Sequence, residues 1–196
     1  MIIKKTKKIG RDKKLTSSHS FTIWQSEIRN RGYKVKYDYI SMNGYTESVM
    51  LVPITKDKKI ILIEKFCTAN NKFEFVLPGG KIEKGDNLSH TAQKELVEET
   101  GYEAEKLIFL CSLDILPAYF VGRTHGFLAI NIKESNEFAR DNEESVRIIK
   151  LSLKKALFYI NSGGISDART IALILYFNTF ALHENYSLLH PKSKVF

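Results

Sequence analysis

The chain has 196 residues, of which 43% are hydrophobic and 27% are charged, a balance typical of a folded globular protein rather than of a disordered or fibrous one. Its Lys-rich start has no apolar stretch behind it, and the apolar run 171–182 is too short to cross a bilayer, so we expect neither a secretory signal nor a membrane anchor. The only two cysteines, Cys67 and Cys111, form no zinc or disulfide pattern and fit a cytoplasmic protein.

Basic residues concentrate near the N-terminus of a chain whose net charge is +8. Residues 1–14 predict a solvated basic arm that need not be ordered. No aromatic residue interleaves these lysines to stack on a base, so an RNA partner is an alternative that we do not favour. A basic balance also suits a small substrate that carries phosphates.

Eight segments that alternate in polarity or are rich in β-branched and aromatic residues predict strands. They span residues 21–28, 34–40, 48–54, 60–66, 73–77, 107–113, 126–132 and 145–151. The first two predict a hairpin about residues 29–32, and the next two predict a second hairpin about residues 56–58. The part of the chain before Thr46 therefore predicts a small antiparallel unit of its own.

Three segments predict helices. Residues 87–100 contain no Gly or Pro and stop at Gly101, which is a natural position for a helix C-cap. Ser152 caps the next helix, over 153–160, and Asp167 precedes a last helix that runs to about residue 182. Strands with one helix in the middle and two near the end predict an α/β (α+β) fold in which helices cover a mixed sheet.

The first predicted helix carries an acidic face. Glu95, Glu98 and Glu99 stand at positions i, i+3 and i+4, so their side chains emerge on one side of the helix. Mg²⁺ or Mn²⁺ would relieve the repulsion between them, because hard divalent cations bind carboxylate oxygens together with substrate phosphate. The alternative is a solvated helix face. The double glycine Gly79-Gly80 favours a site, because it lets the backbone approach a ligand closely.

The stretch from Gly80 to Tyr102 resembles the Nudix box. Gly80 is followed after five residues by Asp86, and after seven more by Lys94-Glu95-Leu96-Val97-Glu98-Glu99-Thr100-Gly101-Tyr102. Three positions depart from the family pattern, namely Asp86 for Glu, Lys94 for Arg and Tyr102 for an aliphatic residue. The resemblance implies a Nudix fold with a mixed β-sheet between helices, and a metal site at Glu95, Glu98, Glu99 and Gly80.

The resemblance extends over about residues 15–182. It is to the ADP-ribose pyrophosphatase-like Nudix enzymes, and among these most to the bacterial ADP compounds hydrolase branch. It implies a Nudix hydrolase domain over 46–185, preceded by an N-terminal β extension over 15–45 through which members of the branch form homodimers.

The same resemblance implies roles for further residues. Lys65, Gly79, Gly80, Asp86 and Tyr119 are the candidates for substrate binding, with Lys65 in place of the arginine that many ADP-ribose enzymes carry. Lys94 is expected to tune Glu95.

Glu143 and Glu144 are the candidates for the base that activates the attacking water. Their simpler interpretation is a solvated acidic loop.

These observations predict a metal-dependent pyrophosphohydrolase that uses Mg²⁺ or Mn²⁺ to cleave the diphosphate of nucleoside diphosphate derivatives such as ADP-ribose, NADH and diadenosine polyphosphates. The products would be AMP and a phosphorylated partner. One alternative is a nucleoside triphosphate or RNA 5′-end pyrophosphohydrolase, which the basic arm would favour. The other is a Nudix module that senses a nucleotide without cleaving it.

Overall fold

The computed structural model describes residues 7–30, 32–135 and 147–181. The elements in chain order are β1 (Lys7–Ser17), β2 (Phe21–Asn30), β3 (Tyr33–Met42), β4 (Glu47–Pro53), β5 (Lys59–Cys67), β6 (Lys72–Val76), α1 (Leu88–Thr100), β7 (Tyr102–Asp114), β8 (Phe120–Val121), β9 (Arg123–Glu134), β10 (Arg147–Ser152), α2 (Leu153–Asn161) and α3 (Ala168–Tyr176). A π-helical turn, Phe177–Ala181, follows α3. Within the described ranges, no helix has the length and apolar character needed to cross a membrane.

The chain divides into two compact units. The smaller lies within Met1–Glu47 and Asp114–Arg123, and the larger within Ser48–Leu113 and Thr124–Phe196. Residues 114–123 were expected inside the larger domain. They belong to the smaller unit because β8 pairs in parallel with β3, and because the Ile40 N–H donates to the Tyr119 carbonyl at 2.8 Å.

The smaller unit is a four-stranded sheet in the order β1-β2-β3-β8. The predicted hairpin between 21–28 and 34–40 is present as the antiparallel pair β2–β3, and Gly32 adopts a φ of 92° in its turn. The basic segment before residue 15 was expected to be a solvated arm, but from Lys7 onward it forms β1. Pairing with β2 satisfies the backbone groups on one side of β1, and Asp12 accepts hydrogen bonds from Ser26 and Tyr39.

The larger unit contains two three-stranded sheets, with the orders β10-β5-β6 and β4-β9-β7. The predicted hairpin between 48–54 and 60–66 is therefore wrong, because β4 and β5 lie in different sheets and meet only at an isolated bridge between Ile54 and Ile60. The reason is that both strands are buried on both faces, as their continuous apolar runs require. Each strand therefore finds its partners elsewhere in the chain.

Alternate side chains of β4 and β5 enter two hydrophobic clusters. Met50, Val52, Ile60 and Leu62 join the cluster that contains α2 and α3 through Ala156, Leu173 and Ile174. Val49, Leu51 and Ile61 join the cluster that contains α1 through Ala92 and Leu96. Strands with helices against both faces agree with the predicted α/β fold.

The predicted helix boundaries at Gly101, Ser152 and Asp167 are present in the structure. The Asn87 side chain caps α1 by accepting from the backbone N–H groups of Ser89 and His90, and Gly101 ends α1 in the left-handed conformation at φ 72°. Ser152 and Asp167 cap α2 and α3 in the same way, through their side-chain oxygens. The helix expected to reach residue 182 is α3 followed by the π-helical turn.

Candidate active site

The acidic face of α1 borders the side of the helix that packs into the core. Ala92 and Leu96 are fully buried. Glu99 lies on the side of the acidic face that adjoins these two residues, and Glu98 lies on the other side. Accordingly the Glu99 side chain is only 12% exposed, whereas that of Glu98 is 53% exposed. The core packing of α1 thus sets how far each carboxylate reaches into the protein.

The double-glycine segment runs alongside β4. The Leu51 N–H donates to the Pro78 carbonyl and the Val49 N–H to the Gly80 carbonyl, both at 2.9 Å. A Cβ atom on Gly79 would lie 2.2 Å from the Val49 carbonyl oxygen. Glycine is therefore required at position 79 to let this backbone approach β4 so closely.

Glu99 is held by groups from two other elements. The Gly79 N–H donates to Glu99 Oε2 at 2.7 Å, and Lys65 Nζ of β5 lies 3.6 Å from Glu99 Oε1. A carboxylate that accepts from a backbone N–H and faces an ammonium group has a defined orientation. Lys65, Gly79 and Glu99 are all residues of the predicted site, and the structure brings them together.

Glu95 lies against the neighbouring glycine. A Cβ atom on Gly80 would lie 2.0 Å from Glu95 Oε1 and 2.4 Å from its Oε2. Glycine at position 80 therefore leaves the space that this carboxylate occupies. Glu95 and Glu99 thus reach consecutive residues of the same segment, and two negative side chains of α1 converge on Gly79-Gly80.

Glu98 does not join this pair of carboxylates. Its Oε1 atom lies 3.8 Å from Lys94 Nζ, one helical turn earlier and in solvent, a type of pair that contributes little to stability. Lys94 was expected to tune Glu95, and its ion pair in the structure is with Glu98. Among the described residues, no three His, Cys, Asp or Glu side chains are gathered closely enough to hold a metal ion.

The part of the site where Glu95 and Glu99 converge on Gly79-Gly80 nevertheless fits a hard divalent cation. Two carboxylates beside a glycine segment supply oxygen ligands of the type that Mg²⁺ and Mn²⁺ prefer. The Gly80 carbonyl adds a further oxygen, because a carbonyl that accepts from Val49 keeps a second lone pair. Glu98 would complete the set by a rotation of its exposed side chain. Metal binding at Glu95, Glu98, Glu99 and Gly80 stays a prediction.

The remaining predicted site residues occupy exposed positions or fall outside the described residues. Asp86 is exposed and immediately precedes the cap of α1. Tyr119 belongs to the smaller unit, where its side chain is 59% exposed. Glu143 and Glu144 fall in 136–146, outside the described residues, so their predicted role as the base stays a prediction.

The structure also shows residues that sequence reasoning missed. Thr170 of α3 is fully buried, and its Oγ1 accepts a hydrogen bond at 3.1 Å from the Leu77 N–H, directly before Pro78-Gly79-Gly80. The available signal was its position three residues after the capping Asp167, which places it in the first turn of α3. No pattern in the sequence indicates that this turn meets residue 77.

Glu74 of β6 is a second residue that the sequence analysis missed. It is 5% exposed and accepts from Ser166 Oγ at 2.7 Å and from Lys72 Nζ at 2.7 Å. Burial alone would raise the pKa of Glu74, but these two hydrogen bonds outweigh it and lower that pKa. Ser166 immediately precedes the cap of α3. The start of α3 is thus joined to β6 at Glu74 and to the residue that follows β6, Leu77.

Comparison with known proteins places this site in a family context. The family model for the NUDIX domain matches residues 44–162. The chain is 35% identical over 130 residues to a methanol dehydrogenase activator of Bacillus methanolicus, and 32% identical over 130 residues to an ADP-ribose pyrophosphatase of Bacillus subtilis. Each match covers 66% of this chain and 70% of the relative.

A solved structure shares the fold. The crystal structure of an ADP compounds hydrolase superposes with a TM-score of 0.80 at 23% identity, over 91% of this chain and 95% of the other.

Proposed function

This chain belongs to the Nudix domain family, and on that premise we propose that it is a metal-dependent pyrophosphohydrolase acting on nucleoside diphosphate derivatives. Its substrates are molecules such as ADP-ribose, NADH and diadenosine polyphosphates. Cleavage falls within the diphosphate and yields AMP and a phosphorylated product. The names of two similar proteins, an ADP-ribose pyrophosphatase and an ADP compounds hydrolase, support a diphosphate substrate.

The observation that carries the proposal is the convergence of Glu95 and Glu99 on Gly79-Gly80. Glu95, Glu98 and Glu99, with the Gly80 carbonyl, would hold Mg²⁺ or Mn²⁺. When bound, such ions neutralise the charge of a diphosphate and lower the pKa of a coordinated water.

Other residues of the chain bind and orient the substrate. Lys65, already facing Glu99, donates to a phosphate oxygen, and Gly79 and Gly80 contact the diphosphate through their backbone. Asp86 and Tyr119 contribute further contacts to the substrate.

Proton transfer belongs to other side chains in this proposal. Glu143 or Glu144 accepts the proton of the attacking water. The ammonium group of Lys94 stabilises the negative charge of the neighbouring glutamates.

The proposal includes a homodimer formed through the N-terminal strands and a location in the cytoplasm. Two free cysteines, Cys67 and Cys111, are consistent with a reducing compartment. RNA 5′-end hydrolysis is the second candidate, favoured by the lysines of β1. A sensor without activity is a weaker candidate, since all three glutamates of the acidic face are retained.

A substrate panel tests the proposal. The purified protein is incubated with ADP-ribose, NADH, diadenosine triphosphate, dGTP and 5′-triphosphate RNA, with Mg²⁺, with Mn²⁺ or with excess chelator. We expect turnover of the diphosphates, its loss in chelator and its return with either metal. Glu98→Gln and Glu99→Gln should each slow turnover by at least about 100-fold, because several kcal/mol of transition-state stabilisation depend on the metal site.

Glu105→Gln is the matched control, because it removes an equal charge from an exposed position of β7. It should retain the rate of the unmodified protein. Glu98→Gln should keep its melting temperature, whereas Glu99→Gln should lose some stability, since the Glu99 side chain is only 12% exposed and accepts the Gly79 N–H. Reaction in ¹⁸O-labelled water should place the label on a phosphate. Release of free adenine, or full turnover in excess chelator, would contradict the proposal.

A further inference from the structure

The segment that carries Gly79 and Gly80 is attached to the protein on both sides of the chain. On one side it runs along β4, through the hydrogen bonds of Leu51 and Val49. On the other side, at its start, the hydroxyl of Thr170 accepts the Leu77 N–H at 3.1 Å. Pro78 has no N–H to donate, so the next N–H after Leu77 is that of Gly79, which donates to Glu99.

Thr170 itself is fixed by a hydrogen bond and by burial. Its backbone N–H donates to Asp167 Oδ2 at 2.8 Å, and its side chain is fully buried. One turn further along α3, Leu173 and Ile174 are also fully buried, and the Leu173 side chain packs against Gly126 of β9. Because α3 is anchored in this way, the position of the Thr170 hydroxyl is fixed. The hydroxyl therefore determines the position of Leu77, the first residue after β6.

From these contacts we infer that Thr170 is a positioning residue for the active site: its hydroxyl holds Leu77, and so sets the Gly79 N–H that orients the Glu99 carboxylate. The inference rests on the proposed function for its chemistry. Thr170 lies beyond the residues 44–162 matched by the family model. Ser166 and Glu74 reinforce the same junction between α3 and β6 through a separate hydrogen bond of 2.7 Å.

The consequence is a link from α3 to the metal-binding face of α1. Outer residues that orient a metal ligand typically affect metal affinity or activity by about 10-fold to about 100-fold when they are removed. A shift of about 1 Å in a catalytic group has an effect of similar size on the rate. Removing the Thr170 hydroxyl should therefore change the site while the fold persists.

Thr170→Val tests the inference, because valine has nearly the shape of threonine and lacks the hydroxyl. We expect kcat to fall by about 10-fold or more with a smaller change in KM, and Mn²⁺ binding to the substrate-free protein to weaken by about 10-fold. Mn²⁺ binding is followed by electron paramagnetic resonance. Hydrogen exchange of the Gly79 amide should accelerate. Thr170→Ser, which restores the hydroxyl, should restore all three.

Thr91→Val is the matched control, since Thr91 is also buried and donates its hydroxyl hydrogen bond to the Asn87 carbonyl within α1. It should match Thr170→Val in melting temperature while keeping normal kcat and Mn²⁺ affinity. If Thr170→Val does not fold, Thr170→Ala compared with Thr170→Ser gives the same measurement.

Equal behaviour of Thr170→Val and Thr91→Val, or failure of serine to rescue, would overturn the inference. Loss of the proposed function has a different signature. A protein that hydrolyses no diphosphate, but whose Mn²⁺ binding and Gly79 exchange still depend on the Thr170 hydroxyl, would refute the proposed activity and support the positioning role.

Discussion

At the scale of single residues, Gly79 and Gly80 differ in the atoms that an added side chain would meet. A side chain at Gly79 would meet the backbone of β4, at 2.2 Å from the Val49 carbonyl oxygen. A side chain at Gly80 would meet the Glu95 carboxylate, which is the far end of a flexible side chain. The first obstacle is part of a buried strand, whereas the second can rotate away.

Alanine at Gly79 should therefore mainly lower the stability of the protein, whereas alanine at Gly80 should mainly lower its activity. We expect Gly79→Ala to destabilise the protein by about 1–3 kcal/mol or more, because β4 must shift. We expect Gly80→Ala to cost less than about 1 kcal/mol and yet to reduce activity strongly, because Glu95 is displaced. Denaturant unfolding and the rate on ADP-ribose measure both quantities. Equal destabilisation by both alanines, or an active Gly80→Ala variant, would show that Glu95 is not held at Gly80.

At the scale of elements, β1 is tied to β2 and β3 through one carboxylate. Asp12 accepts from Lys8, from Ser26 and, at 2.7 Å, from the Tyr39 hydroxyl. These hydrogen bonds lower the pKa of Asp12 to about 2, and the hydrogen bond from Lys8 has the largest effect. Burial and the nearby Asp12 charge raise the pKa of Tyr39 to about 12. Both shifts favour the charge states present at neutral pH.

The stability of this sheet should consequently fall at both ends of the pH range. Because the pKa of Asp12 is lowered on folding, its contribution is complete above about pH 4 and is lost as the pH falls through about 2. Because the pKa of Tyr39 is raised, its contribution is complete below about pH 10 and is lost as the pH rises through about 12. Trp24 of β2, the only tryptophan, reports unfolding by its fluorescence.

Asp12→Asn should flatten the acid side of this profile. Asp38→Asn is the control, because Asp38 lies on the same sheet and accepts from the neutral amide of Gln25. It should keep the acid dependence of the unmodified protein. An unchanged profile in Asp12→Asn would show that the hydrogen bonds of Asp12 do not stabilise the sheet.

At the scale of the whole molecule, the basic N-terminal segment has two possible uses, as part of the smaller unit or as an RNA grip. Deleting residues 1–6 should leave the rates of hydrolysis of small dinucleotides nearly unchanged. The unfolding transition followed by Trp24 fluorescence should also stay nearly unchanged. Deleting residues 1–14 removes Asp12 and most of β1, so the fluorescence transition should move to lower denaturant concentration. A normal transition after the longer deletion would contradict the structural role of β1.

Charge variants separate the RNA alternative from this structural role. Lys13→Gln together with Lys14→Gln keeps β1 and removes two cations. We expect no effect on the binding of 5′-triphosphate RNA. If these lysines contact RNA phosphates, the salt dependence of binding should instead become shallower by roughly one unit of slope for each lost contact.

Features governed by local hydrogen bonds and periodicity were determined by the sequence alone. The ends of α1 follow from the side-chain cap of Asn87 and from the left-handed conformation at Gly101, both of which act within a few residues. The common face of Glu95, Glu98 and Glu99 follows from the helical repeat. The β2–β3 hairpin follows from two alternating strands joined by a short turn.

Features that depend on contacts between distant parts of the chain were decided only by the tertiary structure. The separation of β4 and β5 into different sheets depends on partners more than 60 residues away, as in the pairing of Leu62 with Ile149. The different exposures of Glu98 and Glu99 depend on which side of α1 enters the core, and the contact between Thr170 and Leu77 joins residues 93 positions apart. A local pattern carries no information about such contacts, because they are selected by how the assembled layers bury their apolar faces.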